Sequence, residues 1–402
     1  MLGNEEIVAL IRLGLDSITA LLNKLNNPQD MLQIIHIAGT NAKGSVGTMI
    51  SCILKEASYK VGHYSSPAVF SREEVIKING KSIKKDDYDI YHSKVENAGI
   101  EMTGEGLNMP TEFEIETALA FEYFRDNKCD VVVLECGMGG MSDATNVVKN
   151  SKVCVFTPIS MDHTDYLGKS LREIAGNKAG IIKAGAKAVS ARQSEEVEDI
   201  LINKANECGV ELIHAKEAVL KKTDIGLTGI SQMENAYLAI TAVEAFDGNI
   251  SLSTCIRGLK KVKLPGRFER INDKPVIIID GGHNIAAALN LVRNIESLYK
   301  NKEYILVAGM LFNKDHKGVM DIIASKAKQV LTISTFGDRG YSAENLAYDV
   351  MDFNKNVSAI GGIEEALEIA CMSANKKDII VVFGSFTFLK AAKKWQKDRF
   401  GR

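Results

Sequence analysis

The stretch Ile34 to Ser45, Ile-Ile-His-Ile-Ala-Gly-Thr-Asn-Ala-Lys-Gly-Ser, constrains the fold of this chain more than any other. An apolar run that can pair as a buried strand ends at Gly39, and an apolar-periodic helix is expected from about Val46. Between them the residues around Lys43, with Thr40, Asn41 and Ala42 before it and Gly44 after it, carry little side-chain bulk or useful polarity, so backbone N–H groups can converge on an anion at the helix N-terminus. Lys43 can reach terminal phosphates, and the Ser45 hydroxyl can ligate magnesium. The usual phosphate-loop order sets glycine directly before the lysine and Ser or Thr directly after it, whereas here Ala42 precedes and Gly44 intervenes. Taken alone, the stretch also fits an ordinary strand-to-helix turn.

A chain of 402 residues implies more than one domain. Its 49 Lys and Arg against 51 Asp and Glu, net charge -2, provide no global attraction to nucleic acid or to an anionic membrane. Seven scattered cysteines without a Cys-x-x-Cys spacing indicate neither a disulfide framework nor a structural zinc site, and a cytoplasmic protein is expected. No apolar run approaches the length of a membrane span.

Apolar positions from Ile7 to Leu25 follow helical spacing and predict a packing helix. A strand over Lys60–Tyr64 leads to Ser66, a candidate metal or phosphate contact or else part of a plain Ser-Pro turn. Thr111 with Glu114 three residues on reads as a capping box, which accounts for Glu114 without chemistry. The unbroken run Asp130–Leu134 predicts a strand buried on both faces that delivers Glu135 to its end. A carboxylate there is costly unless paired or metal-bound, so Glu135 ligates magnesium directly or reaches it through water, the alternative being an edge position in open solvent. After a strand over Lys152–Thr157, His163 follows Asp162 at the same end of the sheet. A helix over Leu171–Lys183 contains Lys178. A lysine beside a magnesium site would repel the ion, so Lys178 binds phosphate, is solvated, or has its charge inverted by modification; solvation is the simplest of the three.

Gln232 and Asn235 stand on neighbouring turns of one predicted helix, where two amides could address the mixed edge of a base or serve as an ordinary polar N-terminus. Leu264-Pro-Gly-Arg267 reads as an interdomain break, with Arg267 able to clamp phosphate in a fork. Beyond it the pattern restarts. Strands are expected at Val276–Asp280, Tyr304–Ala308, Gln329–Ile333 and Ile379–Phe383, alternating with helices, and Asp280 could accept from a ribose hydroxyl.

In order along the chain, His36–Ser45, Gly137–Asn146, Asp162-His163 with Leu167-Gly168, Ile174–Lys183, Pro265–Glu269 and Asp280–Asn284 resemble the motifs of the folylpolyglutamate synthase/dihydrofolate synthase family, the folate branch of the Mur ligase superfamily. The resemblance implies an α/β fold: a P-loop Mur-ligase-type ATPase domain with a parallel-rich central sheet over 1–265, then a smaller Rossmann-like α/β domain over 266–402. It implies an ATP-dependent ligase that adds L-glutamate to a folate, a dihydropteroate, or both through an acyl phosphate. A divergent ligase for another carboxylate and a non-catalytic ATP-binding protein are the alternatives.

By carry-over, Lys43, Glu135, His163 and Lys178 would be catalytic. Ser45, Ser66, Glu135, His163 and Lys178 would hold two magnesium ions, one of them through a carbamylated Lys178. Residues Gly39 to Ser45 with Asn235, Arg267, Asp280 and His283 would hold ATP. The chain is expected to act as a monomer on small molecules, with neither nucleic acid nor membrane as partner. It departs from the family pattern at Ala42, Ala68, Val75 and Met141, where glycine, histidine, arginine and arginine are usual.

Overall fold

The computed structural model describes residues 14–401. Two compact units are present. One holds the chain up to Leu227 together with Gln232–Lys263, and the other holds Thr228–Ser231 and the chain from Leu264 onward. A single cut after residue 265 thus misses the short segment 228–231, which the Ile230 N–H ties to Asn294 Oδ1 at 2.8 Å.

The N-terminal unit is built on an eight-stranded sheet in the order β4-β3-β2-β5-β1-β6-β7-β8. Its strands are β1 (Ile34–Ala38), β2 (Val61–Tyr64), β3 (Ile76–Ile78), β4 (Lys81–Ser82), β5 (Val131–Glu135), β6 (Ser151–Phe156), β7 (Lys187–Ser190) and β8 (Leu212–His214). β3 and β4 pair antiparallel and the remaining pairs are parallel. β1 and β5 are buried along their whole length, as the continuous apolar runs require of strands covered on both faces. β1 lies between β5 and β6, and Ile37 is in register with both Glu135 and Val155. The loops after these three strands therefore emerge side by side.

One face of the sheet is covered by the helices Lys43–Glu56, Gln232–Phe246 and Leu252–Lys260, whose Val46, Ile50, Ala239, Val243 and Leu259 share a core with Ile35, Ile37 and Val133. The helices Asp16–Lys24, Lys85–Gly104 and Glu112–Asp126 share a second core with Ile34, Val132 and Leu134. The Thr111–Glu114 capping box is formed. Of the helix expected over Ile7–Leu25, Asp16–Lys24 is helical, and residues 7–13 lie outside the described residues. Two other helices are corrected at their ends. The one after the phosphate loop starts at Lys43 rather than near Val46, because Ala42 turns left-handed and caps it, and the one carrying Lys178 stops at Ala179, not Lys183.

The C-terminal unit carries a six-stranded sheet, β13-β12-β11-β14-β10-β9, parallel except for β9. β10 (Val276–Asp280), β11 (Tyr304–Ala308), β12 (Gln329–Ile333) and β14 (Ile379–Phe383) have the bounds expected from their apolar runs. β9 (Glu269–Asp273) and β13 (Val357–Gly361) occupy the two edges. Among the described residues no helix is long and apolar enough to cross a membrane.

Candidate active site

Gly39 ends β1 at φ 152, and a Cβ built there would stand 1.8 Å from Thr157 Oγ1. Only glycine lets β1 leave the sheet this close to the end of β6. The loop is then stitched to the β6 side. Thr40 N donates to Pro158 O at 3.0 Å, Thr40 Oγ1 donates to Ser160 O at 2.9 Å, and Ser160 N donates back to Thr40 Oγ1 at 3.0 Å. Ala42 adopts φ 68, ψ 0, so the position where the family usually has glycine does demand a left-handed backbone, and the alanine is strained by roughly 1 kcal/mol or more. Ser45 is buried in the first turn of the helix.

The Gly39 carbonyl is the meeting point of two amines. Lys43 Nζ donates to it at 3.1 Å and Lys178 Nζ at 2.9 Å. Lys178 is 4 % exposed, which overturns its reading as a solvated side chain. Its helix docks on the backbone of the loop after β5, where a Cβ on Gly140 would come within 2.8 Å of the Asn177 and Lys178 carbonyl oxygens. Burial, and then the nearby charge of Lys43, lower the Lys178 ammonium to about 7. Lys178 is thus part neutral amine at physiological pH.

Glu135 is buried at the carboxyl end of β5, and the open-solvent alternative is set aside. The segment after it is locked by a buried network. Asp143 Oδ2 accepts from Met138 N at 2.7 Å, and Oδ1 accepts from Thr145 N at 3.0 Å and Thr145 Oγ1 at 2.5 Å. His36 Nε2 lies 2.9 Å from Thr145 Oγ1 and 3.1 Å from Cys136 Sγ. Burial lowers His36 to about 3, so its ring is neutral, and burial pushes the Asp143 carboxyl upward against the pull of its donors. This network was not foreseen from sequence, although His36 alternating into an apolar strand was its visible sign.

His163 follows β6 in a left-handed conformation, φ 52, and caps the short helix Thr164–Leu167. Its N–H donates to Asp162 Oδ1 at 2.9 Å. Ser66 is half-buried beyond the end of β2, one strand farther from β1 than Glu135. Two of the departures from the family pattern are apolar packing: Val75 is buried, and Ala68 packs against the same core. Met141 is 52 % exposed. Asn235 is buried, with its Nδ2 donating to Gln232 Oε1 at 3.0 Å, so each amide uses part of its capacity on the other.

Arg267, Asp280 and His283 belong to the C-terminal unit. Asp280 Oδ2 accepts from Phe268 N at 2.9 Å and Oδ1 from Gly282 N at 2.7 Å, so the carboxylate already staples two turns and keeps one lone pair on each oxygen. Burial raises its pKa and the Arg267 charge lowers it. His283 Nδ1 lies 3.3 Å from Gly281 O. A cavity of about 630 Å³ lined by Glu56, Tyr59, Asp130 and Asp247 opens at the amino ends of β1 and β5, away from the phosphate loop, and contains none of these residues.

A phosphate loop flanked by a buried acid and a histidine that follow the strands on either side of it, with a buried lysine on a helix docked beside them, and then a second, parallel-rich sheet, points to a nucleotide-dependent ligase of the Mur type. The Mur ligase middle domain matches residues 37–218, and the Mur ligase, glutamate ligase domain matches residues 266–386. Within that class the chain belongs to the dihydrofolate synthase/folylpolyglutamate synthase family. It is 30% identical over 413 residues to the Bacillus subtilis dihydrofolate synthase/folylpolyglutamate synthase, across 96% of this chain and 95% of the relative. It is similar to the Mycobacterium tuberculosis folylpolyglutamate synthase complexed with ADP and AMPPCP, with a TM-score of 0.89 and 30% identity over 99% of this chain and 98% of that one. A Yersinia pestis bifunctional folylpolyglutamate synthase/dihydrofolate synthase complexed with AMPPNP and Mn ion gives a TM-score of 0.85 and 26% identity over 99% and 98%.

Proposed function

We propose that this protein joins L-glutamate to the carboxylate of a folate, of dihydropteroate, or of both, with ATP cleaved to ADP and phosphate. The acceptor carboxylate attacks the γ-phosphorus of ATP, ADP leaves, and the resulting acyl phosphate is attacked by the glutamate amine. An amide forms, and phosphate and a proton depart. The observation that carries the reading is the pair of amines on the Gly39 carbonyl: Lys43 is poised at the mouth of the phosphate loop, and Lys178 is buried with its pKa lowered to about 7.

The loop N–H groups from Ala42 to Ser45, at the start of the helix, and the Lys43 ammonium hold and neutralise the transferring phosphoryl, chemistry that depends mainly on positioning and electrostatics. Asn235, Arg267, Asp280 and His283 hold the rest of the nucleotide. The donor set suits magnesium, a hard cation that takes oxygen ligands, since a carboxylate and a hydroxyl, Glu135 and Ser45, are both buried beside the phosphate loop. Ser45, Ser66, Glu135, His163 and a carbamate on Lys178 would hold two ions, which would supply charge neutralisation at the phosphoryl oxygens. A lysine that is part neutral can add its nitrogen lone pair to CO₂ and release a proton, giving the carbamate anion. The chain acts as a cytoplasmic monomer on small molecules.

The test is phosphate release in the presence of L-glutamate with either dihydropteroate or tetrahydrofolate, with product mass read in the same sample. The expected product is one glutamate heavier than its acceptor. If neither acceptor gains that mass, the acceptor assignment fails.

A further inference from the structure

The Arg267 guanidinium carbon lies 4.4 Å from the centroid of the Phe386 ring. That ring sits directly on Gly281, where a Cβ would come 2.2 Å from Phe386 Cε1 and 2.4 Å from Cδ1. The backbone around Arg267 is held separately. Phe268 stands at φ 45, a conformation rare for a bulky side chain, with its N–H on Asp280 Oδ2. Gly266 N donates to Glu269 Oε2 at 2.8 Å, and Lys393 Nζ pairs with Glu269 Oε1 at 2.7 Å. An aromatic face attracts a guanidinium through its π cloud and takes none of its N–H donors, so the ring fixes the plane of the fork without competing for it.

We propose that Phe386 is a positioning residue whose ring, seated against Gly281, holds the Arg267 guanidinium in the orientation that receives a phosphate of ATP. This rests on the assignment of Arg267 as a nucleotide contact. It also gives a reason for the glycine at 281: any side chain there would drive the ring off its seat.

The experiment is calorimetric binding of AMPPNP with magnesium to the full chain and to Phe386→Leu, Phe386→Tyr, Gly281→Ala, Arg267→Ala and the Phe386→Leu/Arg267→Ala double variant. Phe386→Leu is expected to weaken binding by roughly three- to tenfold, with Phe386→Tyr within about twofold of the parent. Gly281→Ala should reproduce the leucine variant, and serves in its place if the leucine variant does not fold. With Arg267 already alanine, Phe386→Leu should change nothing further, a result that general loss of packing would not give. Parental affinity in Phe386→Leu beside weakened Arg267→Ala would overturn the proposal alone, as would an equal loss from Phe386→Leu in both backgrounds. Parental affinity in Arg267→Ala would instead refute the nucleotide role of Arg267, and the platform with it.

Discussion

Replacing Gly39 by alanine tests whether the loop depends on the close passage of β1 beside β6. The new methyl would lie 1.8 Å from Thr157 Oγ1 and 3.0 Å from both its Cβ and its carbonyl oxygen. Thr157 has little room to retreat, since it is fully buried and its N–H is bonded to Ala38 O at 2.9 Å. Overpacking of this kind costs about 1–3 kcal/mol, and a non-glycine residue at positive φ adds roughly 1–2 kcal/mol. The stiffer unfolded chain returns about 0.4–1 kcal/mol, leaving a net loss of roughly 2–4 kcal/mol. For a unit of this size that is a fall in Tm of roughly 5–15 °C, readable by calorimetry. Thr157→Ala removes the worst contact, so the double variant should recover at least about 1 kcal/mol relative to the sum of the single changes. If Gly39→Ala melts within a degree or two of the parent, or if the cycle is additive, the steric reasoning is wrong.

At Ala42 the strain of φ 68 is partly offset by the packing of its methyl and by the extra freedom glycine brings to the unfolded chain, so Ala42→Gly should gain only about 0.5 kcal/mol in chemical denaturation. Glu135→Gln should lower turnover by roughly three orders of magnitude while AMPPNP binding changes far less, a contrast that steady-state kinetics and calorimetry together measure. His36 and His63 are both buried, with folded-state values near 3 against 6.5 when unfolded. Between those limits only the unfolded chain takes up their protons. Stability should therefore be fully present above pH 6.5 and fall by up to about 1.4 kcal/mol per pH unit for each histidine as the pH drops, a slope that His63→Gln should reduce in urea titrations.

Much of this site could be read along the chain because its parts are local. The apolar runs of β1 and β5 fixed which strands are doubly covered, and that alone set Gly39 and Glu135 at strand ends. The four inner strands of the second sheet were legible for the same reason. Its edge strands were not: Glu-Arg-Ile-Asn-Asp and Val-Ser-Ala-Ile-Gly lack an apolar run because an edge is only partly covered. The burial of Lys178 gave no local signal, because it depends on a helix docking against Gly139 and Gly140, a contact between segments far apart in sequence. Phe386 gave no local signal either, since its partners come from residues 266, 267 and 281.

The oxygen of Gly39 binds two amines at once, and this makes their charges interdependent. Part of what keeps a proton off Lys178 is the positive charge of Lys43. A phosphate that engages Lys43 screens that charge and brings negative charge of its own, so the Lys178 affinity for protons must rise when nucleotide arrives without metal. With Lys178 as the free amine, before any carbamate forms, the protein should then draw a proton from solution near neutral pH as it binds, so that Lys178 would serve as a built-in gauge of occupancy in the loop. Heats of binding compared in two buffers of different ionisation enthalpy read that gauge directly, with no label and no turnover.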